Sequence, residues 1–360
     1  MKSVALQLNG SFWKTLWLTF IILLFFLGIA EWMTRLEVFQ RYLTPPRLGS
    51  RHSQLGYKLS LLNAEVGKNG PVDCIMVGSS TVDVGFDPEA FQKAYQDVTG
   101  REIRCFNFGI DASSAISAAV LARILVEDFH PRLLIFGTDA RDYAVPREDQ
   151  DTAVVLNSPW IMYREGFFSM DGWLLDHSYL YRYRQHLARL TRLQFYGTLW
   201  AQTEMSYKLR PNGMNPISIV STYINDRPDP KDESYEVVYY NRIYSPYLML
   251  NENLAALENI LEHEKSGTRV IVVEMPVSDG LYYFFDNGEA DYNRFVARMD
   301  ELTARYQIPF LRTEPLDFIP DDGWSDYSHL NITGAQIFSD WLGRQIAVIH
   351  EMERASFSQP

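Results

Sequence analysis

The chain has 360 residues, 47% of them hydrophobic and 22% charged, with a formal net charge of -12 at pH 7. At roughly 100–200 residues per domain, that is enough for one large α/β core or two smaller ones, and it excludes a disordered chain. A nucleic-acid backbone is held by clustered Lys and Arg, which this acidic sequence lacks, so nucleic acid is excluded as a partner.

The first distinctive element is the run from Phe12 to Trp32, FWKTLWLTFIILLFFLGIAEW, whose middle carries no charge between Lys14 and Glu31. A bilayer takes about 20 apolar residues to cross, and Trp13, Trp17 and Trp32 stand near the ends as interfacial aromatics do. Residues 1–35 are therefore expected to be an uncleaved signal anchor that crosses the membrane through residues 12–32. A cleaved signal peptide, for which Gly28-Ile-Ala30 offers a small-x-small site, and a buried core helix are the alternatives. Lys2 and Lys14 precede the span while Arg35, Arg41, Arg47 and Arg51 follow it. Charge taken alone does not favour an outward-facing C-terminal domain.

Residues 36–70 read as a connector, because Pro45-Pro46, Gly49, Gly56 and Gly67 interrupt any regular pattern. From about Pro71 to the end, short apolar runs alternate with longer helical patterns. The strands are expected at Asp73–Val77, Ile103–Phe108, Arg132–Phe136, Arg269–Glu274 and Ile308–Leu311. The helices are expected at Pro88–Val98, Ser113–Asp128, Leu248–Lys265, Asp291–Tyr306 and Thr333–His350. Such alternation implies right-handed βαβ crossovers and a doubly wound, five-stranded parallel sheet, with the ligand site beyond the carboxyl ends of the strands. Cys74 and Cys105, the two cysteines, each fall in a strand and are expected to be buried free thiols. Were those strands neighbours, a disulfide would be sterically conceivable and would place the domain in an extracytoplasmic compartment.

Residues 142–267 exceed a simple crossover of roughly 30 residues and read as an insertion over the active-site rim. Its first half is aromatic and basic. Trp160, Tyr163, Arg164, Phe167, Phe168 and Trp173 are expected to form a satellite core, with sugar stacking or a membrane interface as alternatives. Arg182, Arg184, Arg189 and Arg192 form a locally basic helix suited to a phosphate-bearing polymer, lipid headgroups or a protein partner. The second half, from Asn212 to Tyr247, reads as a loop with one short strand at Tyr-Glu-Val-Val-Tyr-Tyr.

The strand ends carry the chemistry. They read Gly78-Ser79-Ser80, then Asn107-Phe108-Gly109, then Gly137-Thr138-Asp139, and near the C-terminus Asp326-Tyr-Ser-His329-Leu-Asn331-Ile-Thr-Gly334. Each alone is ordinary turn chemistry. Together they can form a site, because a nucleophilic serine needs a base within hydrogen-bond reach and an acid that orients the base. Asp326 and His329, three apart, can present both side chains to one place, and of the seven histidines only His329 has such a context. Neither a metal nor another cofactor is expected, since no second His or Cys accompanies His329 at ligand spacing and no phosphate-cradling G-x-x-x-x-G-K occurs. Asn331 also opens a glycosylation sequon, but is expected instead to fix the turn that holds His329.

These four segments, in this order, resemble the conserved blocks of the SGNH (GDSL-like) hydrolase superfamily: Gly-Asp-Ser, a Gly, Gly-x-Asn-Asp and Asp-x-x-His. The resemblance covers Pro71 to His350 apart from the insertion, and D-x-x-H-x-N-x-x-G is its most specific piece. It implies Ser80 as nucleophile, His329 as general base and Asp326 as the orienting acid. It also implies an oxyanion hole built from the N–H groups of Ser80 and Gly109, with Ser79 in the usual Asp position. Asp139 stands where the superfamily places an Asn donor, and an ionised Asp only accepts hydrogen bonds. Thr138 or Arg141 could replace that donor, and Asp139 could instead be a turn residue pairing with Arg141 or Arg132.

The variant G-S-S, with an N-terminal anchor, resembles a membrane-tethered branch that includes the D-alanyl-transfer protein of teichoic-acid modification and other partners of membrane-bound O-acyltransferases. What this implies is a single-pass protein of the bacterial inner or cytoplasmic membrane with an extracytoplasmic catalytic domain. Its activity would be that of a serine acyltransferase or esterase on O-acyl groups of a polysaccharide, taking an acyl donor and a glycan acceptor beside a multi-pass O-acyltransferase. A simple carbohydrate esterase or deacetylase, and a non-catalytic accessory subunit of such an acyltransferase, are the alternatives.

Overall fold

Of five short strands, three are buried along their whole length and a fourth in all but its first residue, the pattern of parallel strands covered on both faces, instead of the alternation of a half-exposed sheet; the fifth is half-buried. In the computed structural model, which describes residues 10–42, 48, 53–144, 155–184, 208–229, 233–313 and 318–357, they are β1 (Cys74–Gly78), β2 (Cys105–Gly109), β3 (Leu133–Thr138), β4 (Arg269–Glu274) and β5 (Phe310–Leu311). Every pairing is parallel, in the order β2-β1-β3-β4-β5. The fold is thus the expected α/β arrangement, with helices on both faces of the sheet.

The helices, in chain order, are α1 (Gly10–Thr34), α2 (Glu37–Tyr42), α3 (Ser53–Asn69), α4 (Ser80–Gly85), α5 (Pro88–Thr99), α6 (Ala115–Phe129) and α7 (Arg141–Ala144). There follow α8 (Pro159–Arg164), α9 (Met170–His177), α10 (Tyr179–Arg182), α11 (Tyr235–Tyr244), α12 (Asn251–Leu261), α13 (Glu289–Arg305) and α14 (Ile332–Phe357). Successive strand residues point to opposite faces. Ile75 and Val77 join a core with α3, α6, α12 and α13, whereas Cys74 and Met76 join a second core with α5 and α14. Each fully buried Leu or Phe in these layers stabilises the fold by about 1.5–3 kcal/mol. The N-terminal α1 contains one apolar stretch, Phe12–Thr34, long and apolar enough to cross a membrane.

Three expectations are corrected. Residues 53–69 are not irregular connector but α3, whose Leu55, Leu59 and Leu62 at helical spacing pack into the first core; tertiary packing overrides the two glycines. Pro45-Pro46, Gly49, Arg47 and Arg51 lie outside the described residues. The sequence Tyr-Glu-Val-Val-Tyr-Tyr is helix α11, not a strand. Ser234 caps it by accepting the Val237 N–H, and Val237, Tyr240 and Tyr244 bury one face. Finally, Cys74 and Cys105 are not free thiols, because β1 and β2 are direct neighbours and the two residues pair in register and are joined by a disulfide.

The basic stretch is also reassigned where it is described. Arg182 is buried, donating to the carbonyls of Leu175 and Asp176, and Arg184 pairs with Asp171, so both hold α9 and α10 together and present no anion site. Arg189 and Arg192 lie outside the described residues.

Candidate active site

The site begins where β1 stops. Ser79 is extended and Ser80 opens α4, so the chain turns sharply at the carboxyl edge of the sheet. Glycine is needed on both sides of this turn: a Cβ on Gly78 would run into the Gly137 carbonyl, and one on Gly109 into the Asp83 backbone of α4. Ser79 is 1% exposed and its hydroxyl lies against Thr81 Oγ1 at 3.1 Å. Ser80 is half-buried and faces a cavity of about 430 Å³.

The loop before α14 supplies the partners. His329 Nε2 lies 2.7 Å from Ser80 Oγ, and its Nδ1 lies 2.7 and 2.9 Å from the two Asp326 oxygens. An ionised carboxylate only accepts, so Nδ1 carries the proton and Nε2 is left to accept from the serine hydroxyl. The three-residue spacing works because Asp326 Oδ1 also accepts the N–H groups of Ser328 and His329, at 2.9 and 2.8 Å, closing a tight turn. Asn331, 1% exposed, donates to the carbonyls of Asp322 and Trp324 and accepts the N–H groups of Thr333 and Gly334. It thus caps α14 and ties down the turn that carries His329.

Charge inside this array is distributed unevenly. Burial works against the Asp326 anion, yet the charge of His329 and the hydrogen bonds from His329 and Ser328 hold its carboxyl below the usual range. Burial likewise works against the imidazolium, yet Asp326, with Asp139 and Asp111 adding to it, raises the His329 pKa above its ordinary value. Tyr240 of α11 buttresses the turn from the insertion: its hydroxyl lies 2.6 Å from Ser328 Oγ and donates to Asp326 at 3.5 Å.

The residues expected at the oxyanion hole divide. Gly109 is corrected: its N–H donates to Asn107 Oδ1 at 2.9 Å and is turned into the protein. Thr138 is fully buried, with its hydroxyl within hydrogen-bond distance of Asp142 Oδ2 at 3.1 Å and Tyr143 Oη at 3.3 Å, and is not a donor to the cavity. Arg141 is drawn away to Tyr239 Oη at 2.6 Å and the Ser113 carbonyl at 3.0 Å. Asp139 sits at the end of β3, one strand over from Ser80, and is 1% exposed. Its Oδ1 accepts the Arg141 N–H at 2.8 Å, while its Oδ2 is buried with no hydrogen-bond partner among the described residues. Burial pushes the Asp139 carboxyl up, against the pull of Arg141.

Sequence reasoning missed the polar network at the cavity, to which the supposed connector contributes Gln54 and, behind it, Lys58. Lys58 of α3 is fully buried, 2.5 Å from Asp83 Oδ1 and donating to Asn107 Oδ1 at 3.1 Å. Burial depresses the Lys58 pKa, with Asp83 opposing. Asp83 Oδ2 accepts from Gln54 at 2.6 Å and Asn215 at 3.0 Å, and Gln54 Oε1 accepts the Asp111 N–H at 2.7 Å. Gln54, Asp83, Asp111 and Asn215 line the cavity beside Ser80 and His329, and Leu209 and Ile217 bring the insertion to its rim. The lone lysine in the apolar stripe of α3 was the available signal.

No protein-family model matches the sequence, and no curated protein matches it. Among solved structures, the chain is similar to a lipase/acylhydrolase from Enterococcus faecalis, with a TM-score of 0.35 and 11% identity over 77% of this chain and 96% of that one. It is also similar to a carbohydrate acetylesterase family member from Sinorhizobium meliloti, with a TM-score of 0.34 and 12% identity over 78% of this chain and 98% of that one.

Proposed function

We propose that the protein is a serine acyltransferase or esterase, anchored by α1, that acts through an acyl-Ser80 intermediate on O-acyl groups of an extracytoplasmic polysaccharide. The observation that carries this reading is the hydrogen-bonded line from Ser80 Oγ through both nitrogens of His329 to Asp326, open to a cavity. Ser80 Oγ attacks the acyl carbonyl while His329 Nε2 takes its proton, and Asp326 holds the imidazole and stabilises the imidazolium. Collapse of the tetrahedral intermediate expels the donor's oxygen, which takes that proton back from His329. A sugar hydroxyl or water then repeats the sequence on the acyl-serine.

Oxyanion stabilisation comes from three places in this reading. The Ser80 N–H stands ahead of the hydrogen-bond ladder of α4. In the loop after β2, the N–H groups of Gly109, Ile110, Asp111 and Ser113 go to Asn107, Gly78, Gln54 and Ile110. Among the described residues that leaves the N–H groups of Ala112, held at φ 57, and Ser114, and in this reading one of them supplies this loop's donor in place of Gly109. The third is Asp139: burial pushes its pKa up, and only in its protonated form could that carboxyl donate, where the anion cannot.

The compartment and the acceptor have their own support. The Cys74–Cys105 disulfide suits an oxidising environment, and α1 has the dimensions of a span. Among the described residues the cavity is lined by carboxylates, amides, Ser80, His329 and the apolar Val84, Leu209 and Ile217, without Lys or Arg, which suits a hydroxyl-rich, uncharged acceptor. Incubation with an acetyl or short-chain acyl ester, quenching in acid and peptide mass mapping should find the acyl group on Ser80. Faster release by an oligosaccharide than by water identifies transfer. A wild-type protein that turns over ester with no acyl group on Ser80 would refute the covalent route.

A further inference from the structure

We propose that the Phe167–Trp173 edge of the insertion is a second membrane contact, seated in the interfacial layer of the same bilayer that α1 crosses; this rests on the reading of α1 as an anchor. Phe167, Phe168, Met170 and Trp173 are 63%, 73%, 61% and 38% exposed, four large apolar side chains within seven residues. Single exposed apolar residues are normal on a protein surface, but a cluster of this kind marks a contact. The neighbouring Trp160 and Tyr163 do not share this exposure; Trp160 is buried and donates to Asp176 at 2.9 Å, forming the satellite core beneath the patch.

What covers the patch is indicated by how it is tied to α1. Glu31, in the last turns of α1, accepts from Ser178 Oγ at 2.7 Å and from the N–H groups of Tyr179 and Leu180, each at 2.9 Å. It therefore caps α10 from another element. Arg35 donates to the His177 carbonyl at 3.3 Å, and its guanidinium lies 4.7 Å from the centre of the Tyr179 ring. The His177 ring in turn stacks on Trp173 at 4.9 Å. The exposed edge is thus joined, through one unbroken set of contacts, to the end of the apolar helix.

The dimensions agree with that placement. The stretch Phe12–Thr34 has 23 residues, about 35 Å of helix at 1.5 Å per residue, against a hydrocarbon core of about 30 Å. Glu31, Trp32 and Arg35 then fall at headgroup depth, where aromatic rings with one wet side accumulate. Trp32 is itself 61% exposed. Attachment at two points fixes the rotation of the soluble domain about α1, so the Ser80 cavity keeps a constant orientation to the lipid surface instead of swinging on a single tether.

The test uses the full chain in phosphatidylcholine/phosphatidylglycerol vesicles, with a nitroxide placed in turn by Leu23→Cys, Phe168→Cys and Tyr283→Cys. The native cysteines are bonded to each other and do not compete for label. Leu23 reports α1, and Tyr283 is a 50% exposed aromatic of the 279–284 turn. Labels at 23 and 168 are expected to collide with oxygen more than with a water-soluble nickel chelate, and the label at 283 to show the reverse. A lipid-exposed label at 23 with a chelate-accessible one at 168 overturns the second contact and leaves the anchor standing. A chelate-accessible label at 23 removes the anchor and the inference together. A label at 168 that becomes shielded only when a second membrane protein is added assigns the patch to a protein partner, and likewise overturns it.

Discussion

His329 Nε2 lies 2.7 Å from Ser80 Oγ although 249 residues separate the two in the chain. They meet because β1 and the loop before α14 end at the same edge of the sheet, where the side chain of one can accept a hydrogen bond from the other. A general base works only when neutral, and Asp326 raises the His329 pKa despite its burial. The acidic limb of kcat/KM for a p-nitrophenyl ester is therefore expected to rise with pH with its midpoint above the ordinary imidazole value of about 6.5. Asp326→Asn removes the raising charge, so the limb should move to lower pH while the rate falls by about 10⁴. A limb that Asp326→Asn leaves in place would separate the carboxylate from the base.

Asp139 gives a sharper contrast. If Asp139 works as a protonated donor, Asp139→Asn keeps a donor at the same position and should hold kcat within about tenfold of wild type. Asp139→Ala should lose about 10²–10³, the usual effect of deleting one oxyanion donor. Steady-state kinetics of both variants decide it. Equal losses in the two would mean that Asp139 acts through its charge.

The buried pair of Lys58 and Asp83 should show itself as stability, not chemistry. Lys58→Met leaves the Asp83 anion in the core with, among the described residues, only Gln54 and Asn215 as hydrogen-bond donors to its side chain, a loss of about 3–5 kcal/mol. The double variant Lys58→Met/Asp83→Leu removes the stranded charge and should recover most of that loss. Urea unfolding in detergent measures both, and a double variant as unstable as the single one would contradict the pairing.

How much of this was legible in the sequence depended on which physics was local. The strands and their flanking helices declared themselves through apolar runs and caps, and Asp326 and His329 through a spacing that a single turn enforces. Helix α3 was hidden because Gly56 and Gly67 are poor helix residues, and only packing of Leu55, Leu59 and Leu62 on the sheet outweighs them. Helix α11 was hidden by β-branched and aromatic composition, a propensity that its Ser234 cap and buried tyrosines override. Gly109 was misread for another reason: whether a backbone N–H is free depends on Asn107, two residues earlier, whose own orientation is set by Val82 and Phe86 carbonyls across the chain. The disulfide required knowing that β1 and β2 are adjacent, which strand order alone decides.

The disulfide carries the compartment. Protein taken from membranes with thiols blocked during lysis and then denatured should accept no maleimide until reduced, and then two per chain, one at each of Cys74 and Cys105. Replacing both cysteines by serine should lower stability by about 3 kcal/mol. Two free thiols in the unreduced protein would argue for a reducing compartment.

The role of Ser80 is tested most directly by a fluorophosphonate probe, which forms a stable adduct only with a serine activated by a neighbouring base. Labelling of the wild-type protein is expected, retained in Ser79→Ala, whose hydroxyl is buried against Thr81, and lost in Ser80→Ala and in His329→Ala. Absence of labelling in the wild type, or labelling that survives Ser80→Ala, would contradict an acyl-serine enzyme built on Ser80.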